Sequence, residues 1–173
     1  MLYVCAPARG KPLKRKKHRG MKRMAYKVAV VGATGNVGRE MLNILAERRF
    51  PASEVVALAS TRSNGVDVSY GDATLKVKAL DYYDFKGTDI CLMSAGSSVS
   101  KEWSPKIAAQ GAVVIDNSSH WRMDREVPLV VPEVNASALD TGIKKGIIAN
   151  PNCSTARSEE HTSELQSHVR ISY

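Results

Sequence analysis

The stretch Val28-Ala29-Val30-Val31-Gly32-Ala33-Thr34-Gly35-Asn36-Val37-Gly38 runs from a β-branched apolar segment into a turn with glycine at every third position. An amphipathic segment, 39–50, follows it. Strand, tight turn and helix in that order constrain the fold more than any other part of the chain. Glycine lets the turn bend and lets a pyrophosphate approach the backbone. The helix start then offers unpaired N–H groups and the positive end of a dipole. Glycine spacing alone is shared with ordinary strand-to-helix turns; the flanking strand and helix point it to dinucleotide binding.

Further along, short apolar runs alternate with helical patterns. The pattern predicts strands at 55–59, 89–93 and 112–115, with shorter apolar runs at 129–131 and 146–149. Residues 74–80 alternate weakly, as a short edge strand does, and the polar stretch 62–71 with Asn64-Gly65 inside it reads as loop or hairpin. A helix is expected over 99–110, closed by Gly111, with Pro105 forcing a kink or a late start. Residues 136–141 also look helical. This alternation predicts an α/β fold, a doubly wound and mostly parallel Rossmann-type sheet, whose ligands lie beyond the carboxyl ends of the strands.

Two of those strand ends carry chemistry. Where NAD-selective domains place an acid at the end of the second strand, this chain reads Ser60-Thr61-Arg62-Ser63. A guanidinium beside hydroxyls suits a 2′-phosphate, so the position favours NADP over NAD; a solvated loop arginine is the plainer alternative. Beyond the last apolar run comes Asn150-Pro151-Asn152-Cys153-Ser154-Thr155. Cysteine is often a small buried residue. In a polar turn beyond a nucleotide-binding sheet it suggests instead a nucleophile that forms an acyl-thioester.

The net charge of +8 resembles a nucleic-acid signal until it is located. Residues 1–23 hold nine Lys/Arg and no acid, and the rest of the chain has sixteen Lys/Arg against seventeen Asp/Glu. The basicity belongs to an extension, expected to be disordered and to start upstream of a natural beginning at Met24. A localisation signal, transit peptide or nucleic-acid arm is the sharper reading of it. Cys5, Cys91 and Cys153 have no framework or metal spacing, as expected of a cytoplasmic chain without a metal site. No apolar run reaches the roughly 20 residues of a membrane span.

Six motifs occur in order: the glycine turn 32–38, Ser60-Thr61-Arg62-Ser63, Ser94-Ala95-Gly96, Asp116-Asn117-Ser118-Ser119 through Arg122, Val131-Pro132-Glu133-Val134-Asn135 and Asn150-Pro151-Asn152-Cys153-Ser154-Thr155. Together they resemble the amino-terminal part of bacterial aspartate-semialdehyde dehydrogenases, over about residues 24–156. The resemblance implies reversible, NADP-dependent reductive dephosphorylation of L-aspartyl-4-phosphate to aspartate semialdehyde, toward lysine, threonine, methionine and isoleucine. It implies Cys153 as nucleophile, and Gly32, Thr34, Gly35, Asn36 and Val37 around the cofactor phosphates. Arg62 and Ser63 would hold the 2′-phosphate. Arg122, with Asn152 beside it, would hold the substrate phosphoryl group or phosphate; without the motif, Arg122 would read as a surface ion pair. A small-molecule substrate and a homo-oligomeric parent enzyme follow, with no membrane or nucleic-acid partner.

The family pattern stops at the cysteine. The larger catalytic and dimerisation domain, with its glutamine, arginine and base histidine, has no counterpart in this sequence. His120 reads as a surface or packing residue. Residues 157–173 resemble the translation of a sequencing adapter joined after Ala156, and a capped charged helix is the alternative. His161 and Glu164 within it are not read as a metal site. The chain alone is therefore expected to be inactive. The nearest enzyme alternative is N-acetyl-γ-glutamyl-phosphate reductase, whose cysteine turn is Pro-Gly-Cys-like rather than Pro151-Asn152-Cys153. A non-catalytic nucleotide-binding remnant is another.

Overall fold

The computed structural model describes residues 25–153. The basic extension 1–23, Cys5, and the segment 157–173 with its histidines lie outside the described residues, as do Ser154 and Thr155.

Six strands form one sheet: β1 (Tyr26–Val31), β2 (Ala52–Ala59), β5 (Lys78–Ala79), β6 (Ile90–Met93), β7 (Val113–Asp116) and β8 (Ile147–Ala149). Their spatial order is β5-β2-β1-β6-β7-β8, and every pairing is parallel. The chain builds outward from β1 in one direction, then crosses to β6 and builds outward in the other. That reversal opens a crevice at the carboxyl ends of β1 and β6, where doubly wound sheets bind their ligands.

Both faces of the sheet are covered, which explains the near-continuous apolar strands. Val28 and Val30 of β1 pack with Met41, Leu42 and Leu45 of helix α1 (Asn36–Glu47). The alternate residues Ala29 and Val31 belong to the opposite cluster, with Ile107 of helix α2 (Ser97–Ala109). Each fully buried aliphatic side chain contributes about 1.5–3 kcal/mol. Lys27 and Asp89 tie the two inner strands at their entry: Lys27 N–H donates to the Asp89 carboxylate at 2.7 Å, and Asp89 N–H donates to Lys27 O at 3.0 Å.

Several boundaries differ from the sequence reading. Helix α1 begins at Asn36 and ends at Glu47 rather than spanning 39–50. Its end is a Schellman turn, with Arg49 N–H to Ala46 O and Phe50 N–H to Leu45 O, both at 3.0 Å. Arg49 occupies the left-handed position (φ 47°) where glycine would have signalled the stop. The 74–80 stretch is two strands. β4 (Ala73–Lys76) pairs antiparallel with β3 (Asp67–Tyr70), and β5 joins the main sheet. The hairpin turn is Gly71-Asp72, not Asn64-Gly65.

Helix α2 runs through Pro105 from Ser97 and does not start late. The carbonyl that Pro105 deprives of a partner belongs to exposed Lys101, so water can satisfy it. Gly111 closes it as expected, in the left-handed region. Residues 129–131 make only an isolated bridge between Leu129 and Ala149. Over 136–141 only a 3-10 turn forms, Ala136–Leu139, and the one-turn α3 (Pro132–Asn135) precedes it.

Candidate active site

Because all six strands are parallel, the five polar turns that follow β1, β2, β6, β7 and β8 gather at one end of the sheet. After β1, Gly32 turns in the left-handed region (φ 84°). A Cβ there would lie 2.9 Å from the Ser94 carbonyl carbon, so the turn after β6 closes against it. Gly38 allows α1 to lie on the turn: its Cβ would stand 2.7 Å from the Gly32 carbonyl carbon and 2.8 Å from the Ala33 Cα. Gly35 is the N-cap of α1 and donates its N–H to Gly32 O at 3.0 Å. Thr34 is half-buried, while Asn36 and Val37 are exposed in the first turn.

Neither α1 nor α2 has a side-chain cap or an acidic residue in its first turn. Their N-caps are Gly35 and Gly96, and a Cβ on Gly96 would meet nothing within 4 Å. Two uncapped helix starts thus flank the crevice where the strand order reverses. Those N–H groups and dipole ends suit the pyrophosphate of a dinucleotide, and the residues present fit such a group.

One strand further out, β2 runs into a 3-10 turn, Thr61–Ser63. Ser63 N–H donates to Ser60 O at 2.9 Å. Arg62 is exposed, and its guanidinium bonds to no described residue. No acid stands in this turn.

On the other side of the crevice, β7 ends in Asp116, which is fully buried. Its carboxylate accepts Ser118 N–H at 3.0 Å and the Ser118 hydroxyl at 2.6 Å, folding the chain back on itself. Trp121 is also buried and donates its indole N–H to Ser100 Oγ at 2.9 Å, which ties the loop to α2. The loop delivers Arg122, half-buried, to the end of β8. Its Nε donates to Asn150 O at 2.9 Å and its Nη2 to Asn117 O at 3.1 Å. The guanidinium therefore bridges the ends of two neighbouring strands.

Cys153 lies three residues beyond Asn150 and is exposed. Its Sγ is 3.2 Å from Asn152 Oδ1. Cys91 is the opposite case: burial, reinforced by the nearby Asp116 carboxylate, pushes its thiol well up, so it remains protonated and inert. His120 is exposed with its ring edge-on to Trp121 at 4.7 Å, a packing role. Among the described residues no group of three His, Cys, Asp or Glu could hold a metal ion, and no helix is long and apolar enough to cross a membrane.

The fold thus places the glycine turn, Arg62 and Ser63 on one side of the sheet's end, and Arg122, Asn152 and Cys153 on the other. Arg122 is joined to the cysteine turn through the Asn150 carbonyl. The carbonyls of Asn117 and Asn150 that receive it cannot be read from the sequence, since a backbone acceptor leaves no trace in residue identity.

The domain family described as semialdehyde dehydrogenase, NAD binding domain, matches residues 27–142. An aspartate-semialdehyde dehydrogenase of Aquifex aeolicus is 59% identical over 133 residues, which cover 76% of this chain and 39% of that protein. One from Rickettsia conorii is 56% identical over 128 residues, 74% of this chain and 38% of its own length. Among solved structures, aspartate semialdehyde dehydrogenase II from Vibrio cholerae, complexed with ASA, superposes with a TM-score of 0.79 at 43% identity. The match covers 84% of this chain and 48% of that one. A Candida albicans aspartate semialdehyde dehydrogenase with NADP gives 0.63 at 25% identity, over 77% of this chain and 44% of that one. The chain spans well under half the length of the curated relatives it matches.

Proposed function

The chain belongs to the family of semialdehyde dehydrogenase NAD-binding domains, and from that premise we propose that it carries the cofactor half and the nucleophile of an NADP-dependent aspartate-semialdehyde dehydrogenase. The observation that carries the reading is the Arg122 bridge. It draws the phosphoryl-binding candidate and the Cys153 turn to one corner, at the same end of the sheet as the glycine turn.

In this reading the reaction is reductive dephosphorylation of L-aspartyl-4-phosphate to aspartate semialdehyde. The Cys153 thiolate attacks the acyl carbon, the C–O bond to phosphate breaks, and a thioester remains on sulfur. Arg122 and Asn152 hold the departing phosphate, the guanidinium by charge-assisted hydrogen bonds. A nicotinamide nucleotide held at the glycine turn would supply the hydride that adds to the acyl carbon, leaving a hemithioacetal on Cys153. The hemithioacetal then collapses, releasing aldehyde and restoring the thiolate. Thr34, Gly35, Asn36 and Val37 hold the nucleotide phosphates beside the turn at Gly32, while Arg62 and Ser63 take the 2′-phosphate. The substrate is a small molecule and the complete enzyme a cytoplasmic homo-oligomer; nucleic acid and membrane play no part.

The 173 residues alone do not turn over in this reading, because most of each relative's length has no counterpart here. A chimera tests the assignment: residues 25–153 replace the matching segment of the Aquifex aeolicus relative, and NADPH formation from aspartate semialdehyde and phosphate is followed at 340 nm. Phosphate-dependent activity that Cys153→Ser abolishes is the expected result. A folded chimera without activity, or one in which Cys153→Ser stays active, would refute it.

A further inference from the structure

The turn proposed to select NADP is too short to hold its own shape. Thr61–Ser63 is a single 3-10 turn, closed by Ser63 N–H to Ser60 O at 2.9 Å and Asn64 N–H to Thr61 O at 3.2 Å. One isolated turn fixes several dihedral angles for each hydrogen bond it gains, so it does not persist without outside support. Arg62 is exposed and bonds to no described residue, so its aim depends wholly on the backbone beneath it.

The support comes from β5. Asn64 Oδ1 accepts the Ala79 N–H at 3.1 Å, across fifteen residues. Just beyond it, Gly65 N–H donates to Val77 O and Val77 N–H donates to Val66 O, each at 2.8 Å. Val66 N–H also donates back to Ser63 O at 3.2 Å, so residues 64–66 join the turn's last carbonyl to residues 77–79. β5 is only two residues long and pairs with β2 alone, so Ala79 relies on the Asn64 side chain as its acceptor.

We infer that Asn64 is a specificity-positioning residue: by tying the 61–63 turn to edge strand β5 it pre-aims Arg62 at the 2′-phosphate. The inference rests on the NADP reading above and adds a residue that does not itself touch the nucleotide. Without the Asn64 acceptor, only the backbone ties at Gly65 and Val66 remain, the turn loses part of its order until binding, and only a ligand that uses Arg62 meets that cost.

The test is calorimetric titration of the 173-residue chain with NADP+ and with NAD+, for wild type, Asn64→Ala, Arg62→Ala and the double variant. Wild type is expected to favour NADP+. Asn64→Ala should weaken NADP+ about fivefold, the worth of one net hydrogen bond, and leave NAD+ within about twofold. In the Arg62→Ala background, Asn64→Ala should change NADP+ affinity no further, since the effect passes through the guanidinium.

A wild-type chain indifferent to the 2′-phosphate, or binding neither nucleotide, overturns the NADP reading itself. A wild type that prefers NADP+ while Asn64→Ala keeps the same ratio overturns only the role of Asn64. So does an Asn64 effect that persists in full without Arg62. If Asn64→Ala bound neither nucleotide, Asn64→Asp decides, because it retains the acceptor for Ala79. Recovery of NAD+ binding supports the tie, and failure to recover it refutes it.

Discussion

Replacing Gly38 by alanine tests the idea that helix α1 is held against the glycine turn by backbone contact. The added Cβ would stand 2.7 Å from the Gly32 carbonyl carbon and 2.8 Å from the Ala33 Cα. Both obstacles are backbone, so no side chain can rotate away. Ordinary contact begins at 3.4 Å, so α1 must withdraw by at least 0.7 Å, the difference between 3.4 and 2.7. That movement lifts Met41, Leu42 and Leu45 from Val28 and Val30. Forcing an extra carbon into a packed contact costs about 1–3 kcal/mol and more where backbone must shift. Alanine returns about 0.8–1 kcal/mol of helix propensity over glycine. The clash is the larger effect, and a net loss of about 2 kcal/mol is expected.

For a folded region of this size that loss lowers Tm by roughly 6–10 °C. Urea and thermal unfolding followed by circular dichroism give the value. Gly35→Ala is the control: its Cβ would be 3.4 Å from Gly32 O in ordinary extended backbone, so it should lose no more than about 1 kcal/mol, as an N-cap change does. A Gly38→Ala chain as stable as wild type, or more stable, would refute the reasoning. So would equal losses at both positions.

Arg49→Gly should stabilise the chain by about 0.5–1 kcal/mol, since it relieves a left-handed residue (φ 47°) at a net gain over glycine's added freedom when unfolded; urea titration measures it. Arg122→Lys keeps the charge but cannot reach both Asn117 O and Asn150 O, and should cost about 1–2 kcal/mol in the same assay. Native alkylation read by mass spectrometry should mark Cys153 and spare Cys91 until urea unfolds the sheet, because one is exposed and the other buried with its thiol pushed up. The Lys145 ammonium, 2.7 Å away, holds the Asp124 carboxyl below its ordinary range. Its contribution is therefore present above about pH 4 and lost as pH falls below it. Asp124 and then Glu126 raise Lys145, whose contribution is lost as pH rises past about 10.4. A Tm–pH profile should show both limbs, with the acid one flattened in Asp124→Asn.

What the sequence makes legible follows from which interactions depend on residue type. Gly32 and Gly38 could be read because no other residue fits where two backbones meet that closely. Val28 to Val31 could be read because both sheet faces demand apolar side chains. The end of α1 could not, because Arg49 fills a position that glycine usually announces. Asn64-Gly65 looks like a hairpin turn, but its amide is used sideways, as an acceptor for a strand fifteen residues away. Leu129 to Val131 has the composition of a strand yet makes one bridge, and composition carries no information on whether a neighbour offers an edge. At the site, Arg122 stood out by type, whereas the carbonyls that seat it belong to backbone and could only be seen folded.

The tie between Lys27 and Asp89 spans 62 residues of chain, and it marks where the crevice comes from. The glycine turn belongs to β1, but the opposing wall belongs to β6, so neither possesses a pocket until the two have paired. A partly folded chain with only β1, α1 and β2 in place would display the whole motif and bind poorly. Nucleotide held in this seam would therefore act as a clamp on the last closure of the sheet. It would raise the barrier to separating the two central strands while leaving the outer strand β8 free to fray, a division that amide exchange could map strand by strand.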